Sequence, residues 1–134
     1  MLLALLGSGE FLPWQAGLDR WLLDRARPGP VLVLPTASAP EGGAVFERWG
    51  SMGVAHYRDE LGTAAEVVPL RTRADAERPE LVARLDDAAL VFFSGGNPAY
   101  LVHVLAGTPF WAALQRGTAA GLAYGGCSAG AACL

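Results

Sequence analysis

Five short apolar runs, each closed by small or hydroxylated residues, restrict this chain more than any other feature. Leu2 to Leu6, Val31 to Leu34, Glu66 to Leu70, Ala89 to Phe93 and Gly121 to Tyr124 have the length and composition of strands. Most lack polar alternation, which is the pattern of strands covered on both faces. Segments with helical spacing separate them. Trp14 to Arg25 places Leu18, Trp21, Leu22 and Arg25 on one stripe. Glu41 to Leu61 does the same with Val45, Phe46, Trp49, Met52 and His56, with a kink expected near Gly50 or Gly53 and Gly62 as C-cap. Ala74 to Asp87, with Pro79 near a helix start or break, the stretch from Pro98 through Leu105, and Pro109 to about Arg116 complete the set. Strand and helix in strict alternation predict a parallel sheet with right-handed crossovers and helices on both faces. No repeat or linker divides residues 1–134, so one α/β domain is expected.

Composition removes several function classes. A net charge of −3 argues against nucleic acid as a partner. The two cysteines, Cys127 and Cys133, both lie in the final segment with no histidine nearby, which leaves neither a disulfide framework nor a zinc pattern. Gly7-Ser8-Gly9 lacks the third glycine of a dinucleotide fingerprint, and no cofactor or metal is expected. The opening Met1 to Leu6 is too short for a signal peptide, and no stretch nears the ~20 apolar residues of a membrane span. A cytoplasmic protein with no membrane partner is expected.

Chemistry in an open parallel sheet gathers in the loops beyond the carboxyl ends of the strands. Here these are Gly7-Ser8-Gly9-Glu10, Pro35-Thr36-Ala37-Ser38, Ser94-Gly95-Gly96-Asn97 and Gly126-Cys127-Ser128-Ala129-Gly130. The last is Gly-x-Ser-x-Gly between a strand and a helix start, the context of a nucleophile elbow, and predicts an uncommon backbone with positive φ at Ser128. Cys127 is the competing nucleophile, but a motif centred on it loses its second glycine. His56 and His103 fall mid-helix, where packing explains them. Glu10, just behind the first loop, could face the site, with an exposed turn acid as its default. Phe11, Trp14, Trp49 and Trp111 default to core and helix-packing residues.

Phe92 to Asn97, the following helix, Thr108-Pro109 and Gly125 to Ala131 together resemble the dipeptidase E and cyanophycinase family of serine peptidases. The first two strand-end loops resemble that family's as well. The resemblance spans nearly the whole chain but only the N-terminal part of a family member. It implies a class I glutamine amidotransferase-like fold, a flavodoxin-like three-layer sandwich interrupted just after the elbow. It further implies Ser128 as nucleophile, the N–H groups of Gly96 and Ala129 as oxyanion hole, Gly95 and Asn97 in the substrate site, and a peptide or acidic dipeptide as substrate. The catalytic histidine and its acidic partner follow the serine in that family, so this chain alone is expected to be inactive. An uncovered helix face beside the elbow also predicts a homo-oligomer. Two alternatives stay open: a non-catalytic binding or oligomerising domain, and a Cys127-dependent amidotransferase-like hydrolase.

Overall fold

The computed structural model describes residues 1–134. Its strands are β1 (Leu2–Leu6), β2 (Val31–Leu34), β3 (Ala65–Val67), β4 (Leu90–Phe93) and β5 (Ala123–Cys127). They form one sheet in the order β1-β5-β4-β2-β3, and every neighbouring pair is parallel. The helices are α1 (Gln15–Leu23), α2 (Gly43–Ala55), α3 (Arg73–Ala76), α4 (Pro79–Val82), α5 (Pro98–Leu105), α6 (Pro109–Ala119) and α7 (Ala129–Ala132). None is long and apolar enough to cross a membrane.

Because side chains alternate along a strand, the uniformly apolar runs feed two cores at once. Val31, Val33, Leu90, Phe92, Ala123 and Cys127 pack with Leu22 of α1 and with Tyr57. Leu32, Leu34, Val91, Phe93 and Tyr124 pack with Leu81 of α4, Leu101 of α5 and Phe110 of α6. The result is a flavodoxin-like three-layer sandwich. Each fully buried Leu, Val or Phe contributes about 1.5–3 kcal/mol of transfer free energy, so the two cores hold the sheet from both sides.

The strand order decides where a site can open. The β1-to-β2 connection passes β5 and β4, and β2 to β3 continues outward; the later connections return across the other face. The chain therefore leaves neighbouring strands β2 and β4 toward opposite faces, and likewise β1 and β5. Crevices form at the carboxyl ends of such strands.

Several local expectations change. β1 is an edge strand instead of a covered one, with Leu3 41% and Leu5 50% exposed. The expected kink in the second helix falls at neither glycine. A Cβ on Gly50 would lie 2.8 Å from Val67, and one on Gly53 2.6 Å from Val33; both glycines let α2 lie close on the sheet. The break comes instead at a single π-type turn, His56–Glu60, and Gly62 follows with φ 64°. The segment over 74–87 does break at Pro79, as expected, because the residue before proline is disfavoured in helical geometry and Arg78 is extended. α1 buries Gln15, Asp19 and Leu22, while Trp21 is exposed beneath the Arg25 guanidinium.

The amino-end rim is tied by one residue. Arg27 donates its backbone N–H to the Gly121 carbonyl at 3.0 Å. Its guanidinium donates to the carbonyls of Ala88, at 2.8 Å, and Leu85.

Candidate active site

β5 runs straight into the Ser128 turn, and the two flanking glycines are demanded by contact. A Cβ on Gly126 would sit 2.3 Å from the Gly130 carbonyl oxygen, and one on Gly130 would sit 2.2 Å from that of Phe93. Only glycine lets α7 rest directly on the strand ends. Ser128 adopts φ 50° and ψ −107°, as the elbow reading expects. Such a backbone costs on the order of 1–3 kcal/mol in a non-glycine residue and persists only when clamped. The clamps are visible. Ser128 N–H donates to the Leu6 carbonyl at 2.8 Å, and its own carbonyl accepts from Ala131 at 3.0 Å and Ala132 at 2.9 Å. The side chain is exposed, while Ala129 behind it is buried.

The loop after β4 is held donor by donor. Ser94 N–H bonds the Leu34 carbonyl at 3.3 Å, and Asn97 N–H bonds the Ala37 carbonyl at 2.8 Å. Gly95 N–H donates to Glu10 Oε1 at 3.0 Å. Gly96 N–H alone has no acceptor in the protein. Its φ of 149° belongs to glycine, and a Cβ there would lie 2.3 Å from the Ala37 carbonyl oxygen.

Gly95, Gly96 and Ser128 share an open cleft of about 380 Å³ with Gly7, Ser8 and Glu10 from the loop after β1. Glu41, Arg48 and Trp49 close its far wall. Glu10 is therefore not an exposed turn acid but half-buried and doubly bonded. Trp49, expected in helix packing, lines the cleft. Asn97 does not: its Oδ1 accepts Tyr100 N–H at 3.0 Å and caps α5.

The thiol of Cys127 is fully buried on the α1 side and donates to Glu10 Oε2 at 3.0 Å. Burial first, then the Glu10 carboxylate, push it up to about 12, so it stays protonated near neutral pH. Neither histidine lines the cleft. His103 is exposed on α5, and His56 is buried with Nε2 2.7 Å from Asp19 Oδ2. No group of three or more His, Cys, Asp or Glu side chains is placed to hold a metal ion.

The chain carries an elbow serine, a loop with one free N–H and a shared cleft at the carboxyl edge, and the family model for peptidase family S51 covers residues 3–134. The chain belongs to peptidase family S51. Among solved structures, the S51 chain resembles a peptidase from an acI-B1 Actinobacterium at 37% identity and a TM-score of 0.88, over 95% of this chain and 53% of that one. It also resembles a protein assigned to the peptidase E type from Listeria monocytogenes EGD-e. There the TM-score is 0.66 at 22% identity, over 96% of this chain and 58% of that one, and the likeness is one of fold. The S51 chain thus spans little more than half the length of either. None of the curated proteins matches it.

Proposed function

We propose that this chain carries the nucleophile of a serine peptidase. Ser128 Oγ attacks a peptide carbonyl, its proton passes through a base to the leaving amine, and water releases the acyl-enzyme. The observation that carries the reading is an exposed serine on a strained elbow, sharing one cleft with a backbone N–H at Gly96 that no protein group uses. Ala129, first residue of α7, has no intrahelical acceptor for its N–H and supplies the second donor of the oxyanion hole. Gly95 lines the substrate side, and Asn97 serves it indirectly by capping α5. Arg48 gives the wall a cation suited to an acidic dipeptide. Two unpaired cysteines fit a reducing, cytoplasmic setting.

A serine hydroxyl needs a base within hydrogen-bond reach. Neither histidine lines the cleft, so these 134 residues alone are expected neither to turn over Asp-containing dipeptides nor to react with a fluorophosphonate probe. Joining them to the remaining segment of the 37%-identical Actinobacterium peptidase is expected to restore both. Ser128→Ala in that chimera should then abolish labelling and lower hydrolysis by about 10⁴-fold or more. A folded chimera that does not react, or one indifferent to Ser128→Ala, sinks the reading.

We also propose self-association. Exposed Leu3 on the β1 edge joins Met1, Trp111 and Leu134 along an apolar groove, a surface suited to a second copy. Light scattering that finds a monomer at high concentration would refute this.

A further inference from the structure

We infer that Glu10 is a positioning residue of the Ser128 cleft, holding the Gly95–Gly96 loop against the elbow while a buried relay from α1 and the turn after α2 holds Glu10. This rests on the reading of Gly96 as an oxyanion donor. One carboxylate spans the two strands that carry the halves of the cleft, through Gly95 N–H after β4 and Cys127 S–H in β5, each at 3.0 Å. The packing is continuous: the position a Cβ on Gly95 would take lies 3.1 Å from Glu10 Oε1 and 3.4 Å from Ser128 Cβ. Both Glu10 oxygens are engaged by protein donors, which suits a brace better than a proton acceptor. With Gly95 N–H fixed on one side and Asn97 N–H on the other, the peptide between them leaves Gly96 N–H as the loop's free donor.

The relay lies behind Glu10. Phe11 takes φ 64°, a backbone that a bulky residue adopts only under constraint. Its N–H donates to Gln15 Oε1 at 2.6 Å. Gln15 Nε2 donates to Asp19 Oδ2 at 2.9 Å, and the same oxygen meets His56 Nε2 at 2.7 Å. A carboxylate only accepts, so Asp19 forces the Gln15 amide to turn its carbonyl toward Phe11. Gln15, Asp19 and His56 are all buried, beside a core containing Leu22, Tyr57 and Phe92. Burying three such groups is unfavourable, and the bonds along the relay offset part of that cost, while Asp19 Oδ1 and His56 Nδ1 stay unpartnered. None of the three lines the Ser128 cleft. Their link to it runs through Phe11 into Glu10.

Amide exchange of Gly95 by NMR and alkylation of Cys127 by iodoacetamide test this on the 134-residue chain. Glu10→Ala should lose about 10- to 100-fold of the Gly95 protection, the range expected when one buried hydrogen bond is removed. Cys127 alkylation should rise about tenfold as its thiol loses the neighbouring charge. Glu10→Gln keeps an acceptor for Gly95 but no charge, so it should restore protection while leaving Cys127 faster than wild type. Gln15→Leu should lower Gly95 protection several-fold although it touches no cleft residue. Gly95 protection unchanged in Glu10→Ala, or Glu10→Gln behaving like Glu10→Ala, overturns the inference. Should Glu10→Ala fail to fold, the Gln15→Leu and Glu10→Gln measurements decide it. Ser128→Ala should leave both readouts alone, so an inactive chimera would sink the peptidase reading without touching this one.

Discussion

The two faces of the sheet are built on different terms. On the side of α4 to α6, 20 buried residues form a core whose one hydroxyl, on Tyr124, donates to the Gly130 carbonyl at 2.6 Å, and Asn97 and Thr108 cap the helices that cover it. On the side of α1 and α2 the core has 11 members and lies beside buried Gln15, Asp19 and His56. Asp19 Oδ1, His56 Nδ1 and the Tyr57 hydroxyl have no partner there. Burial, then the nearby Asp19 carboxylate, raise the Tyr57 phenol well above its ordinary range. On the first face the buried hydroxyls of Tyr124, Thr108 and Thr118 are each bonded to a nearby backbone carbonyl, and apolar packing does the rest. The second accepts polar burial where it stiffens the loop after β1, and that loop enters the cleft. Stability and positioning have been assigned to opposite sides of one sheet.

The contrast can be broken by substitution. Phe110→Ala, on the apolar face, is expected to cost about 4 kcal/mol in a denaturant titration and to leave Gly95 protection in place. Asp19→Ala, on the polar face, strands His56 without its partner and should cost roughly 3 kcal/mol. Replacing Asp19 and His56 together by leucine should recover most of that stability, because a buried pair is often no better than apolar side chains of similar volume. The same double variant should still lose Gly95 protection. If it keeps that protection, the polar face is merely a less favourable core. Asn97→Ala is the smallest test, at about 1 kcal/mol for a lost helix cap. In an active chimera it should leave KM unaltered; a raised KM would return Asn97 to the substrate site.

The layered fold was legible because buried parallel strands must be apolar on both faces, and Val31 to Leu34 or Leu90 to Phe93 can hardly be anything else. The Ser128 elbow was legible for a related reason: its demands are local, and the glycines that meet them stand two residues to either side. Gln15 and Asp19 were not legible, and Glu10 was legible only as an acid that could face the site. A helical stripe drawn through Leu18, Trp21 and Leu22 selects apolar positions, whereas α1 actually buries two polar ones. Their partners are distant in the chain: His56 lies 37 residues beyond Asp19, and Gly95 lies 85 beyond Glu10. Local periodicity carries no trace of such pairings. The same limit explains β1, whose apolar run gives no sign that it lies at the edge of the sheet.

Arg27 gives the molecule a fixed floor. Its backbone and guanidinium join the approaches to β2, β4 and β5 at the end of the sheet away from the cleft. A lysine offers a single ammonium and cannot reproduce a planar fork engaging two carbonyls. For protein engineering this separates the two ends of the sheet: cleft-wall side chains such as Arg48 and Trp49 can be changed for another substrate without refitting the rim that keeps the strands in register.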